Sequence, residues 1–287
     1  MRFTLGSRAF DDRSRLVMAI VNRTTDSFYD KGATWDDGPA FDRVDMVVDE
    51  GADIIDIGGI KAAPGEKIDA AEEMRRVVGF VAEVRARHPE VLISVDTWRA
   101  EVAREAAAAG ADLINDAWGG HDRELASVVA EFGVGLVCTH TGRVIPRTRP
   151  HRIEYDDVVV EAIGDTTSEA ERAASLGVPR DRIFIDPAHD FGKNTWHSLE
   201  ITRRLDEFVA TGWPVLVSLS NKDFVGETLD LPVAERLTGT LASTAICAFK
   251  GAHVYRVHEV AQTRQVLDMV SSILGDRPPA RTVRGLA

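Results

Sequence analysis

IFIDPAHDFGK, residues 183–193, shows the pattern that decides the fold of this chain: an apolar run, a carboxylate before a proline, and a polar loop ending in lysine. Proline cannot continue the hydrogen-bonding ladder of a sheet, and it biases the preceding residue toward extended backbone. Asp186 is therefore predicted to be the last residue of a buried strand, with its side chain at the mouth of the structure that the strand helps to build. Loops that follow a rigid scaffold often carry function.

The same order of apolar run and polar ending recurs along the chain. The predicted strands are 16–21, 53–57, 91–95, 112–115, 134–138, 182–186, 214–219 and 253–257. Helical patterns alternate with them at 40–50, 69–88, 99–109, 125–132, 156–176, 198–211, 233–250 and 260–274. This alternation indicates a parallel sheet covered by helices, and eight repeats favour a closed (β/α)8 TIM barrel of the α/β class.

Length agrees with one such unit, since 287 residues are an ordinary size for a barrel. Residues 1–287 are accordingly predicted to form a single domain. The segment 276–287 is rich in Pro and Arg and is predicted to be a loosely ordered tail or an oligomer contact.

Composition argues against several classes of partner. A formal net charge of -12 disfavours non-specific binding to nucleic acid or to an anionic membrane. No apolar run approaches the roughly 18 to 20 residues of a membrane span, and the first residues lack the apolar segment of a signal peptide. Cys138 and Cys247 show neither paired nor metal-ligand spacing. We therefore expect a cytoplasmic protein without nucleic-acid or membrane partners.

Polar residues collect at the predicted carboxyl ends of the strands, the face on which TIM barrels carry their active sites. They are Asn22, Asp96, Asn115, Asp116, Asp186, Lys222, Arg256 and His258. Carboxylates accept the paired N–H donors of a 2-amino-4-oxo pyrimidine, and a lysine serves a carbonyl or ring-nitrogen acceptor. Asn22, Arg256 and His258 can hold phosphate oxygens directly or through a metal ion. The set predicts a site for a flat heterocycle, with a phosphate-binding end.

Structural roles remain open for some of these residues. An Asp at a strand end is often the N-cap of the next helix, and both Asp96 and Asp116 precede helical patterns. His140, His189 and His253 are predicted to be packing or loop residues, because no pair of histidines has the spacing of a zinc site.

Six segments, in order, resemble motifs of the dihydropteroate synthase family. They are AIVNRTTDSFYDKG, DIIDIGG, ISVDTWRAEVAREAAAAGADLINDAWGG, IDPAHDFGK, LSNKDFVGE and YRVHEV. Members of that family condense a hydroxymethyl-dihydropterin pyrophosphate with p-aminobenzoate, assisted by magnesium, and release pyrophosphate.

The resemblance implies roles for the polar set. It implies a pterin pocket of Asp96, Asn115, Asp186 and Lys222, and a pyrophosphate site of Asn22, Arg256 and His258. In an active enzyme Lys222, Arg256 and His258 would be the catalytic residues, and Asn22 would hold Mg²⁺. The resemblance also suggests a homodimer.

Several loops depart from the family pattern. The motif G-G-E-S-T-R-P-G reads G-G-I-K-A-A-P-G here, so that Ala62 and Ala63 replace the family's Thr and Arg. The other replacements are Asn221 and Asp223 in S-R-K-S, His189 and Asp190 in D-P-G-x-G-F-G-K, and Thr139 and Thr141 in M-H-M. Two lost arginines and the gained Asp190 and Asp223 outweigh the gained Arg23 and Lys61 and one lost glutamate, so the mouth is more negative than the family pattern. The basic loop 141–152, with Arg143, Arg147, Arg149 and Arg152, either compensates or is merely solvated.

These departures lead to the hypothesis of a divergent dihydropteroate synthase homologue with a partly retained pterin pocket and weak or no synthase activity. The alternatives are an active synthase with other loop solutions, a non-catalytic paralogue that binds a pterin or sulfa-type ligand, and a pterin-binding methyltransferase domain. The sequence leaves these alternatives open.

Overall fold

The computed structural model describes residues 1–24, 34–61, 67–142, 144–148 and 154–284. Within these ranges the strands are β1 (Arg2–Leu5), β2 (Arg8–Asp11), β3 (Leu16–Asn22), β4 (Ile54–Gly58), β5 (Leu92–Asp96), β6 (Leu113–Asp116), β7 (Gly135–Thr139), β8 (Ile183–Asp186), β9 (Leu216–Ser218) and β10 (Val254–Val257). The α-helices are α1 (Asp37–Asp49), α2 (Ala70–Arg87), α3 (Ala100–Ala108), α4 (Leu125–Phe132), α5 (Val158–Ser175), α6 (Thr195–Arg203), α7 (Leu205–Val209), α8 (Asp223–Leu229), α9 (Leu237–Phe249) and α10 (Val260–Leu274).

Strands β3 to β10 form one parallel sheet in the order β8-β7-β6-β5-β4-β3-β10-β9. A parallel bridge between Ile185 and Val215 joins its two edges, and the Ile185 N–H donates to the Pro214 carbonyl at 2.9 Å. Joining the edges removes the exposed hydrogen-bonding groups that an open sheet would present. The predicted (β/α)8 barrel is confirmed.

Side chains alternate between two cores because successive residues of a strand point to opposite faces of the sheet. Residues such as Ile55, Ile93 and Ile185 point outward and pack under the helices in one large cluster. Met18, Leu92 and Phe184 instead point into the barrel and fill its lower half. The polar residues at the upper, carboxyl ends of the strands are therefore supported from below by a packed layer.

An N-terminal hairpin, which the sequence analysis did not predict, closes the lower end of the barrel. Strands β1 and β2 pair antiparallel, and Phe3 and Leu5 are completely buried within the interior cluster. The Phe3 ring lies edge-on to Phe184, with centroids 5.4 Å apart, and stacks on Phe10 at 5.3 Å. The hairpin leaves only the opposite end of the barrel open to a ligand.

Some predicted helices have different bounds. The helix predicted at 198–211 is divided into α6 and α7, because Arg204 leaves helical geometry, with φ -110° and ψ 25°. Its guanidinium donates to Asp157, Glu200 and Glu207, so tertiary contacts favour the break. The helix predicted at 233–250 begins as α9 at Leu237, after a 3-10 turn over Val233–Glu235. Helix α8 was not predicted.

The predicted tail begins with a tertiary contact. Asp276 accepts a hydrogen bond from Arg15 at 2.8 Å, and residues 285–287 lie outside the described ranges. Whether the rest of 276–287 is loosely ordered stays a prediction. Among the described helices, none combines the length and apolarity needed to cross a bilayer.

Replacing Phe3 by Ala tests the role of the hairpin as a plug. Because Phe3 is fully buried, the variant should lose about 3–5 kcal/mol of unfolding free energy, measured by urea denaturation. The half-buried Phe10 provides the matched control, and Phe10→Ala should lose clearly less. Equal losses for both variants would contradict a plugging role specific to Phe3.

Candidate active site at the mouth of the barrel

Strand register brings most of the predicted residues together at the mouth. Asn22 is the register partner of Gly58, Gly58 of Asp96, and Asp96 of Asn115. Thr139 and Asp186 are paired in the same way on β7 and β8. Register partners on parallel strands share a face, and these residues lie an even number of positions beyond interior residues of their own strands. They therefore line the inside of the barrel at its open end.

Arg256 is held inside this ring by two carboxylates. Its Nε donates to Asp56 Oδ2 at 2.6 Å, and a terminal nitrogen donates to Asp96 Oδ2 at 3.0 Å. Asp56 is completely buried and also accepts from Ser94 Oγ at 2.6 Å and Asn115 Nδ2 at 3.5 Å. The residue predicted to bind pyrophosphate is thus an internal ion-pair partner.

Sequence reasoning did not identify Asp56 as a site residue. The available signal was a carboxylate in the middle of the apolar run DIIDI. A buried charge is costly unless it is paired, so an Asp at that position indicates a cation on a neighbouring strand. The structure shows that this cation comes from β10, distant in sequence.

Burial shapes the electrostatics of the carboxylates. It raises the pKa of Asp96 to about 7, partly opposed by Arg256 and reinforced by Asp56. Burial also raises the pKa of Asp186, with Lys222 acting in the opposite direction. A carboxyl group with a raised pKa can accept a hydrogen bond from a ligand N–H when it is ionised, or donate one to a ring nitrogen when it is protonated.

Two lysines approach the ring and donate to main-chain carbonyls. Lys222 Nζ donates to the carbonyl of His189, and Lys193 Nζ donates to those of His140, at 3.1 Å, and Phe191, at 2.9 Å. Burial lowers the pKa of Lys222 and lowers that of Lys193 to about 7. Lys193 ends the segment 183–193, and the sequence alone assigns it no role.

Asn22 and His258 lie at the phosphate end of the predicted site. The Asn22 Oδ1 lies next to Gly58, 3.5 Å from where a Cβ on residue 58 would lie, which is an ordinary van der Waals contact. His258 is half-buried, and burial, together with the charges of Arg256 and Arg43, lowers its pKa to about 3. Its imidazole is therefore neutral near pH 7 and would meet a phosphate as a hydrogen-bond donor rather than as a cation.

An aromatic wall, formed by Trp98, Trp118 and Phe191, also lies beside the mouth. The ring centroids of Trp98 and Trp118 are 6.1 Å apart, and those of Trp118 and Phe191 are 5.6 Å apart. Lys222 Nζ lies 5.1 Å from the centroid of Phe191. Sequence reasoning missed this wall, although each tryptophan comes within two residues after a strand-end aspartate. Trp118 is buried, whereas Trp98 and Phe191 are partly exposed and supply apolar surface against which a flat ring can pack.

The suggested helix-capping roles are wrong. Asp116 accepts from the backbone N–H groups of Trp118, at 2.9 Å, and Gly120, at 2.6 Å, so it stabilises a turn; α4 begins only at Leu125. Asp96 is not the N-cap of α3 either, because Arg99 occupies that position. In both cases further residues separate the strand end from the first residue of the helix.

Among the histidines, His189 and His253 are packing residues. His189 is completely buried, its ring contacts Phe224, and its Nε2 lies 3.1 Å from Thr202 Oγ1. His253 Nδ1 accepts from the Val215 N–H at 3.1 Å. His140 is also buried, with its ring centroid 5.7 Å from that of Tyr155.

Several loop departures lie outside the described residues or away from the mouth. Ala62 and Ala63, and the basic-loop residues Arg143, Arg149 and Arg152, fall outside the described ranges. Arg23 does not add charge at the mouth, because its guanidinium donates to the Thr34 carbonyl at 3.0 Å and to Asp37. Thr139 carries a buried hydroxyl without a hydrogen-bond partner among the described residues.

The raised pKa of Asp96 predicts a pH-dependent contribution to stability. The folded protein holds a proton that the unfolded chain releases above the ordinary value of 3.8, so this contribution is present at low pH and is lost as pH rises to about 7. We therefore compare the unfolding free energies of the wild type and of Asp96→Asn. The wild-type value minus the variant value should fall by up to about 1.4 kcal/mol per pH unit between the unfolded and the folded pKa of Asp96. Urea denaturation from pH 4 to pH 8 measures it, and a constant difference would contradict the assignment.

A model of the family described as "Pterin binding enzyme" matches residues 18–258. The "Inactive dihydropteroate synthase 2" of Mycobacterium tuberculosis is 58% identical over 288 residues, covering 99% of this chain and 91% of that protein. The dihydropteroate synthase of Bacillus subtilis is 39% identical over 261 residues, covering 90% and 88%. A crystal structure of the Yersinia pestis synthase in a sulfonamide complex matches with a TM-score of 0.90 and 32% identity, over 96% of this chain and 100% of that one.

Proposed function

The chain belongs to the family of pterin-binding enzymes, and from this premise we propose that it is a divergent dihydropteroate synthase homologue with a partly retained pterin pocket and weak or no synthase activity. The proposal rests on one observation: the cationic side chains of the site are already bound to other groups of the protein. Arg256 is paired with Asp56 and Asp96, and Lys222 donates to a main-chain carbonyl. Both residues belong to the set that would have to serve the substrate.

Support for a pterin ligand comes from the acceptors that remain. Asp96, Asn115 and Asp186 line one mouth, and the aromatic wall lies beside it. Carboxylates suit the N–H donors of an aminopyrimidine ring, and an amide both donates and accepts. Pterin binding is therefore proposed for Asp96, Asn115 and Asp186, with a weakened contribution from Lys222.

Support for lost activity comes from the weak electrostatic stabilisation that the mouth offers to the leaving pyrophosphate. Transfer of the pterin methylene requires stabilisation of a departing pyrophosphate, which is mainly electrostatic. In the described mouth, Arg256 has two anionic partners and His258 is a neutral imidazole. Losing one charge-assisted hydrogen bond costs about 1.5–3 kcal/mol, which is roughly a ten- to hundredfold loss in rate.

The side of the site that the resemblance assigns to p-aminobenzoate is also changed. Asn221, which replaces the family's arginine, is buried and donates its amide to Glu259 at 2.8 Å. Asp223, the other replacement, is paired with Arg236 at 2.9 Å. We therefore propose weak binding of p-aminobenzoate at most.

Magnesium is compatible with the residues present. Among the described residues no three His, Cys, Asp or Glu side chains are grouped to hold a metal, but Mg²⁺ typically keeps several waters and binds substrate phosphates. The amide oxygen of Asn22 is a hard donor at the right end of the mouth, so Asn22 would hold the ion together with a bound pyrophosphate. The ion would supply charge neutralisation to the phosphate oxygens. A cytoplasmic location stays a prediction.

A turnover assay with both substrates and Mg²⁺, beside the Bacillus subtilis synthase as positive control, tests the function. Dihydropteroate should form at least about a hundredfold more slowly than with the control enzyme, since more than one charged contact is lost. Calorimetry should still detect pterin binding, and Asp186→Ala should abolish it. Turnover comparable to the control would establish the active alternative, and absence of pterin binding to the wild type would refute the retained pocket.

We also propose that the chain forms a homodimer through the outer faces of α9 and α10. These helices expose Ile246 (49%), Phe249 (65%), Met269 (62%) and Ile273 (65%). Apolar surface gathered on neighbouring helices is typical of a protein interface. A second copy is the proposed occupant because the family resemblance leads us to expect a homodimer.

Replacing Phe249 by Glu places a charge in this face and should shift the protein toward monomer, as measured by light scattering after size-exclusion chromatography. Phe132, an exposed aromatic on α4, provides the control, and Phe132→Glu should leave the dimer intact. A monomeric wild type, or equal disruption by both variants, would contradict this interface.

A further inference from the structure

The loop that follows β8 has an unusual backbone. Ala188, Asp190 and Gly192 have φ angles of 51°, 66° and 60°, in the left-handed region. Glycine adopts this region without penalty, whereas alanine does so rarely and aspartate at some cost. The family pattern has glycine at all three positions, so the conformation here needs support that glycine would not need.

Asp190 supplies that support through its carboxylate. Oδ2 accepts from the Phe224 N–H in the first turn of α8 at 3.1 Å, and Oδ1 accepts from Ser198 Oγ of α6 at 2.9 Å. The Asp190 N–H also donates to Ser198 Oγ at 3.0 Å. One residue therefore ties the β8 loop to two helices, and replacing it with glycine would remove both side-chain ties.

The position of the loop determines the surroundings of Lys222. This residue immediately precedes α8, and its Nζ donates to the carbonyl of His189, next to Asp190. The Phe191 ring is also near the ammonium group, with its centroid 5.1 Å from Nζ. None of the ion pairs among the described residues includes Lys222. Its ammonium is hydrogen-bonded to the His189 carbonyl and lies near the Phe191 ring, while the charges of Asp190 and Asp186 act on it without a direct ion pair.

We propose that Asp190 is a specificity-determining residue that acts through Lys222. By fixing the β8 loop against α6 and α8, it presents the His189 carbonyl to the lysine and draws the ammonium away from the mouth. The pocket then recognises a flat aminated ring through N–H groups donated to Asp96 and Asp186, and it discriminates little in favour of a ring carbonyl. This inference rests on the proposed pterin pocket.

Calorimetric titration of four proteins tests the coupling: the wild type, Asp190→Gly, Lys222→Ala and the double variant. The probes are 6-hydroxymethylpterin, which has a 4-oxo group, and its 2,4-diamino analogue, which lacks that acceptor. Asp190→Gly should tighten binding of the oxo probe at least about tenfold, because one well-made hydrogen bond to a charged donor is worth that much. Lys222→Ala should change affinity less than about threefold in the wild type but at least about tenfold in Asp190→Gly.

The ligand preference separates recognition from general loosening of the loop. The oxo-to-diamino affinity ratio should rise in Asp190→Gly and fall back in the double variant, which a purely structural defect would not produce. Asp190→Asn keeps an oxygen acceptor for the Phe224 N–H and an NH2 group that can donate to Ser198 Oγ, and it should behave as the wild type. Asp230→Asn changes an exposed carboxylate at the opposite end of α8, and it should leave the ratio unchanged. Ser198→Ala, which removes one partner of Asp190, should raise the ratio by a smaller factor.

Several outcomes would overturn the inference. Equal effects of Lys222→Ala in both backgrounds would do so, as would an unchanged ratio in both Asp190→Gly and Ser198→Ala. If Asp186→Ala abolishes binding while the Asp190 variants change nothing, this inference alone fails. If neither the wild type nor Asp190→Gly binds either probe, the proposed pterin pocket fails with it.

Discussion

The ion pairs between Arg256 and the carboxylates of Asp56 and Asp96 are the interaction on which the rest of the site depends. They join β10 to β4 and β5 inside the barrel, where an unpaired charge would be strongly destabilising. Removing one partner of such a buried pair typically costs about 3–5 kcal/mol. The same contacts orient Asn115, which donates to Asp56, and they set the charge felt by Asp96. Structure and recognition therefore share the same few groups.

This sharing explains how a family fold can be retained while its chemistry weakens. The barrel needs its interior charges satisfied, and the described mouth satisfies them with protein partners: carboxylates for Arg256, and main-chain carbonyls for Lys193 and Lys222. Catalysis of pyrophosphate departure needs cations that are available to the negative charge that develops on the leaving group in the transition state. A site can therefore keep a shape that accepts a pterin after the electrostatic part of its function is reduced.

The residues that differ from the family pattern do not all act in the same way. Arg23 looks like a compensating charge in the sequence, yet it is directed to Asp37 and to a backbone carbonyl. Asp190 adds negative charge near Lys222, yet its carboxylate oxygens are bound by Ser198 and the start of α8 rather than turned toward a ligand. Counting charges along loops is therefore a poor guide to the field at the mouth, because long side chains choose partners that are distant in sequence.

The local sequence pattern was sufficient to predict the barrel and most of the polar residues at its mouth. Continuous apolar runs ending in Asp96, Asn115 and Asp186 indicate buried parallel strands, whose last residues lie at one mouth because parallel strands share their direction. The N-terminal hairpin and α8 were beyond that reasoning, because short elements are stabilised by what they pack against. Only the tertiary structure decided that Asp56 meets Arg256 and that Lys222 meets the His189 carbonyl. The physical reason is that the sequence specifies which groups reach the mouth, whereas three-dimensional packing selects their partners.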